Sequence, residues 1–354
     1  MQLVINSHGA SLRRKGERFA IRLPSKPMIA EIAATKVTSI VVCTHIALST
    51  GAIELATQHN VDICFINRAG EPYSRIWQSR MGSTVTIRRE QLKCIDSETG
   101  LHFAKSWICK KLENQSVFLA QLRSKRPASA DILGSAEATL KDMLAKVSSL
   151  SGDVESQRGT IMGYEGIAGR VYFETIAKLM PSEYSFEGRS RQPAKDGFNA
   201  MLNYGNGVLY SLVERANILA GLDPYIGILH TDNYNKRSLV FDMIEPFRII
   251  AERATVLFFT GRRVKTDFFR PVPGGVELAP PGRAALIENL NQRLDKAVKY
   301  PVQRSNKVGA NKYRRVKLRN TIQHEAHSFA NRLLGKNDIP RIVDVEDLLP
   351  QEET

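Results

Sequence analysis

The chain has 354 residues, 43% hydrophobic and 24% charged, a mixture that excludes wholesale disorder and leaves room for one large core or two moderate ones. Lysine and arginine outnumber aspartate and glutamate 50 to 36, for a formal charge of +14, which favours a polyanion, nucleic acid first, as partner. No apolar run approaches the ~20 residues of a membrane span, and the start, MQLVINSHGASLRRKGERF, lacks the order of a signal peptide, so a cytoplasmic location is expected.

Residues 1–90 read mostly as strands and turns. ASLRRKGERFAIRL alternates around a hairpin turn at Lys15 and Gly16, and VTSIVVC and VDICFIN look like short buried strands. Between them ALSTGAIELATQHN has helical spacing. Cys43, Cys64, Cys94 and Cys109 form no CxxC pair and read as buried thiols. From about residue 91 to 336 the spacing is helical, broken at TGRRVKTDFFRPVPGGVELAPPGR (260–283), which suits an exposed loop. Residues 337–354 form an acidic tail. The fold class expected is therefore α+β, a β-rich N-terminal domain followed by a larger all-α domain.

Within that helical stretch, GYEGIAGRVYF (163–173) places Glu165 on a stripe with Ile161, Ala168, Tyr172, Ile176 and Leu179. A carboxylate buried there has to be neutral, paired or bound to a metal. Gly166 and Gly169 imply close approach of another helix or of DNA. In GLDPYIGILHTDN, Gly221 and Pro224 stop a helix and His230 follows a short apolar run. SLVFDMIEPFRII (238–250) reads as an interior helix, kinked or bounded near Pro246, with Asp242, Glu245 and Arg248 three residues apart on one side. Carboxylates on two interior helices and a histidine on the connector make an oxygen-rich ligand set suited to Mg2+ or Mn2+, less naturally to zinc. A divalent ion in a basic protein points to phosphodiester chemistry. HEAH (324–327) has its histidines three apart instead of four, which rejects a zinc-protease reading.

Four blocks in order, EGIAGRVYF (165–173), FNAMLNYGNGVLY (198–210), GLDPYIGILH (221–230) and SLVFDMIEPFR (238–248), resemble the signature of the CRISPR-associated adaptation endonuclease and integrase family. IALSTGAIELATQHNVDICFINRAGEP and LRNTIQHEAHSFANRLLGK extend the resemblance over nearly the whole chain, while NDIPRIVDVEDLLPQEET departs from it. The resemblance implies a catalytic helical domain whose metal ligands are Glu165, His230 and Glu245, with Asp242 catalytic in a supporting or DNA-proximal role. It also implies a homodimer, with the N-terminal domain in dimerisation or DNA contact, that assembles with the CRISPR-associated protein Cas2. Its substrates would be double-stranded DNA fragments, branched intermediates and a repeat array, the 3′-hydroxyl of a captured fragment attacking a target phosphodiester.

Arg170 and Arg248 are expected beside the scissile phosphate or paired with the ligand carboxylates. RSNKVGANKYRRVKLR (304–319) holds Arg304, Lys307, Lys312, Arg314, Arg315, Lys317 and Arg319 without an acid, with Tyr313 as a stacking surface, and is a candidate DNA contact. Two other functions fit the same residues. One is a related transposon-type integrase; the other is an architectural DNA-binding protein whose buried acids are merely salt-bridged.

Overall fold

The computed structural model describes residues 2–24, 26–67, 72–76, 84–231, 236–301 and 313–336. Eight strands and one helix fill the first part: β1 (Gln2–Ile5), β2 (Ser11–Lys15), β3 (Arg18–Leu23), β4 (Lys26–Ala33), β5 (Ser39–Val42), β6 (Ala47–Leu48), α1 (Thr50–Gln58), β7 (Asp62–Ile66) and β8 (Pro72–Ile76). They make two sheets. The first runs β1-β5-β7-β8, with β1, β5 and β7 parallel and β8 antiparallel. The SIVV of β5 is buried at every residue, as expected of a strand covered on both faces. The second runs β4-β3-β2-β6, and the Lys15–Gly16 turn joins β2 to β3 with Gly16 at φ 58°, where a side chain would be strained. Leu3, Leu12, Phe19, Ile40, Leu55 and Ile63 pack between these sheets and α1.

Helices dominate the rest: α2 (Thr84–Cys94), α3 (Glu98–Lys125), α4 (Ala130–Ser149), α5 (Val154–Ala177), α6 (Gly197–Leu219), α7 (Ser238–Ile244) and α8 (Arg248–Thr260). Ser97, Asp153 and Asp196 cap α3, α5 and α6 by accepting from the backbone N–H three residues on. A second, larger core built around Trp107, Phe118, Tyr172, Leu209 and Phe247 joins them.

The architecture is α+β in the expected order, with two departures in detail. The stretch read as an exposed loop carries a hairpin, β9 (Phe269–Val272) and β10 (Gly275–Leu278), whose turn has Gly274 at φ 77°. After α9 (Pro280–Leu294), a ribbon of β11 (Ala297–Pro301) and β12 (Tyr313–Lys317) precedes α10 (Leu318–Leu333). The later part is therefore not all-α: paired prolines and glycines masked one hairpin, and a charged run masked a strand. Among the described residues, no helix is long and apolar enough to cross a membrane. The acidic tail at 337–354 lies outside the described residues.

Candidate active site

Glu165 lies midway along α5. Ile161, Ala168, Tyr172 and Ile176 of its stripe are fully buried, whereas the Glu165 side chain stands at the rim, 31% exposed. Its partner comes from α3. Lys111 Nζ donates to Glu165 Oε1 and lies 2.7 Å from Glu245 Oε2, so both carboxylates meet one nitrogen. Lys111 is itself buried, on a stripe with Trp107, Asn114, Gln115 and Phe118.

Pro246 has no N–H to continue a helix, and the 238–250 segment accordingly breaks into α7, a 3-10 turn at Glu245–Phe247, and α8. Asn114 Nδ2 donates to the Pro246 carbonyl at 2.6 Å and fixes the break against α3. Glu245, at that break, is buried, and its Oε1 accepts from Arg248 Nε at 2.8 Å. Arg248 Nη2 in turn donates to the Tyr210 hydroxyl at 3.0 Å. Burial alone would raise the Glu245 carboxyl, but Arg248 and Lys111 outweigh it and pull the group down to about 2. The Lys111 charge meets Oε2 as an ion pair, and that buried oxygen has no directed hydrogen bond.

His230 lies within the connector between α6 and α7. Gly227 makes its approach possible, because a Cβ there would fall 2.5 Å from the His230 carbonyl and from Ser238 Cβ. The Asp242 carboxylate is fully buried and accepts from the backbone N–H groups of Ile228, Leu229 and His230 at 2.6, 3.1 and 3.0 Å. It also lies 2.6 Å from His230 Nδ1. A carboxylate with four such neighbours accepts, so Nδ1 is the ring nitrogen that donates to it and Nε2 is the one turned away from Asp242. Asp242 therefore positions the imidazole; a side chain with no exposure is not DNA-proximal. Arg158, two turns before Glu165, donates to the carbonyl of Leu229 at 2.7 Å and binds the connector to α5.

The structure thus brings Glu165 and Glu245 together and, separately, His230 and Asp242. Among the described residues, no three histidine, cysteine or acidic side chains already surround one point as a metal cage. Arg170 is exposed and makes no ion pair with the described residues, so its expected pairing with a ligand carboxylate is not found, while Arg248 has its pairing. A Cβ at Gly163, Gly166 or Gly169 would touch nothing within 4 Å, so these glycines border open space and not a packed helix.

Next to Arg248 opens a cavity of about 430 Å3, whose wall among the described residues includes Arg189, Arg191, Lys236, Arg237, Tyr210 and Phe241 and no acid. Burial draws the Arg189 guanidinium down to about 10. In the basic run, Arg304, Lys307 and Lys312 lie outside the described residues. Lys317 and Arg319 both reach Asp295, at 3.3 and 2.8 Å, so an acid distant in sequence meets the run in space. Arg314 bonds His324 Nε2 at 3.1 Å, and Arg315 is exposed.

Sequence reasoning missed Lys111, Tyr210, Arg158 and the wall of the cavity. Lys111 was within reach of the argument applied to Glu165, since a charge on the Trp107–Phe118 stripe raises the same question. Arg189 and Lys236 sit on irregular segments, where no periodicity exposes a role.

Residues 3–292 match the family described as CRISPR associated protein Cas1. The chain is 30% identical over 312 residues to the CRISPR-associated endonuclease Cas1 1 of Archaeoglobus fulgidus, covering 85% of this chain and 90% of that protein. In fold it is similar to a casposase bound to integration product, with a TM-score of 0.80, 22% identity, and coverage of 100% of this chain and 95% of that one. A Cas6-RT-Cas1–Cas2 complex contains a chain with TM-score 0.74 and 21% identity, matched over 99% of this chain and 36% of that one. The matched residues run through both the strand-rich part and the helical part that holds Glu165, His230 and Glu245, and they make the chain a member of the Cas1 family.

Proposed function

We propose that this chain is a divalent-metal-dependent DNA endonuclease and integrase of CRISPR adaptation, joining the 3′-hydroxyl ends of captured fragments to a repeat array. The observation that carries the reading is the convergence of Glu165 and Glu245 on one cationic centre, beside a cavity whose described lining has arginines and a lysine and no acid. The cavity offers charge to a phosphodiester strand, and Tyr210 and Phe241 offer it ring faces.

The donor chemistry fits Mg2+ or Mn2+. Two carboxylates already share a cation, Lys111 Nζ, and Nε2 is the His230 ring nitrogen that Asp242 does not hold. Glu165, Glu245 and His230 would hold the ion, which supplies Lewis acidity toward a phosphoryl oxygen and the attacking hydroxyl. Asp242 fixes the imidazole tautomer, and Arg248, steadied by Glu245 and Tyr210, presents positive charge to the cavity. Open space along α5 beside Gly163 and Gly166 leaves room for a duplex near Glu165.

The relative's name, endonuclease, and the complexes named above support DNA and Cas2 as partners; the same reading takes the chain as a cytoplasmic homodimer that pairs two sites on one fragment. One observation favours a second reading, an architectural DNA-binding protein: Lys111 and Arg248 between them neutralise both acids. A strand-transfer assay on half-site DNA with Mn2+, with and without EDTA, separates the two. Joining that EDTA abolishes supports the integrase; binding unaffected by EDTA, with no joining or cleavage, supports the architectural protein.

A further inference from the structure

Glu165 and Glu245 already have their countercharge. Lys111 Nζ touches both, and Arg248 Nε holds the remaining oxygen of Glu245. Formally the four side chains cancel. Adding a divalent cation to a neutral and largely buried set leaves excess positive charge in a place with little water to solvate it. One of the two resident cations therefore has to leave. Arg248 is pinned by Glu245 on one side and the Tyr210 hydroxyl on the other. Lys111 is a compact charge on a flexible four-carbon stem. It faces the more open carboxylate, and beside that carboxylate the surface of α5 has free space at Gly163 and Gly166.

Building on the metal site of the proposed function, we propose that Lys111 is an internal stand-in for the metal, its ammonium occupying the gap between Glu165 and Glu245 until a divalent ion displaces it. The lysine has two effects. It keeps the carboxylates converged when no ion is present, and it holds metal affinity down. The ammonium leaves still charged, so no proton transfer is involved, and a phosphate arriving in the neighbouring cavity is a partner for it. Metal entry and DNA entry would then reinforce each other.

The test is Mn2+ titration of the full-length protein, read by the free-ion electron paramagnetic resonance signal, with melting curves alongside. Lys111→Met, which keeps the stem and removes the charge, is expected to bind Mn2+ at least about tenfold more tightly than the native chain. Lys111→Arg keeps the charge and is expected to bind no more tightly than the native chain. Equal affinity in the native and Met chains overturns the stand-in role while leaving the metal reading intact; no Mn2+ binding by either chain overturns both. Should the Met chain lose its cooperative melt without metal, recovery in Mn2+ but not in NaCl of the same ionic strength supports the proposal. Failure to recover overturns it.

Discussion

Two buried charge clusters, one where the strands meet the helices and one at the candidate site, are built from the same residue types and do different things. In the first, Asp62 of β7 is buried and has an arginine on each oxygen, Arg75 from β8 and Arg215 from α6. Arg75 continues to Glu214 at 2.8 Å and to the Ser211 carbonyl at 3.0 Å. Glu214 goes on to Arg237, and Arg215 to the carbonyl of Thr38. Each acid there is spoken for, and the bonds run across the joint between sheet and helix. In the second cluster two acids share the one Lys111 ammonium, His230 has a ring nitrogen that Asp242 does not hold, and a cation-lined cavity adjoins. Burial of charge is common to both; two acids held by one shared ammonium distinguish the second from the first, where Asp62 has an arginine on each oxygen.

The comparison breaks first at Asp62. Asp62→Ala takes a buried carboxylate from two arginines at once and is expected to lower unfolding free energy by about 3–5 kcal/mol, measured by denaturant melts, while strand transfer per folded molecule stays close to native. If transfer disappears in the folded fraction, the first cluster is not merely structural. The mirror-image case is Glu245→Gln, expected to reduce strand transfer by about 100- to 1000-fold in chains that a melting curve shows to be folded. Transfer at the native rate would remove Glu245 from the site.

A smaller effect is expected from Asp242→Asn, which permits the wrong imidazole tautomer: a 10- to 100-fold loss in transfer or Mn2+ affinity on the scale of orienting partners of metal ligands. Asp242→Asn with native affinity and rate would mean that the carboxylate serves only the turn at Ile228 and Leu229.

The smallest effect concerns Glu252, two turns beyond Glu245, which Gln115 Nε2 meets at 3.1 and 3.3 Å. Burial outweighs Lys111 there and raises the Glu252 carboxyl above its ordinary value of 4.5. A raised carboxyl favours the protonated folded chain, so its contribution is complete below the ordinary value and is lost as pH rises through the raised one. Melting temperatures of Glu252→Gln should fall less with rising pH above 4.5 than those of the native chain. Parallel curves would contradict the assignment.

Much of the candidate site was legible because charge on an apolar stripe is a strong signal. Glu165 on α5, and Asp242, Glu245 and Arg248 three apart, were visible by periodicity alone, and the Glu245–Arg248 pair is found at 2.8 Å. What periodicity does not carry is what each acid meets. Asp242 and Glu245 look alike in sequence, and only the backbone donors at 228–230 show that Asp242 is turned inward. Lys111 stayed hidden because lysine in a helix ordinarily snorkels to water. The parallel pairing of β1, β5 and β7 was likewise beyond reach, since a buried apolar run does not specify its neighbours.

The Arg158 link between α5 and the carbonyl of Leu229 has a mechanical consequence. The rod that carries the glutamate and the connector that carries the histidine are bolted together one residue from the imidazole. A push on the outer surface of α5, such as a docking duplex would give, therefore shifts both side chains in step instead of prying them apart. Cutting the bolt with Arg158→Met would let them travel independently, although every group with chemistry to do would still be present.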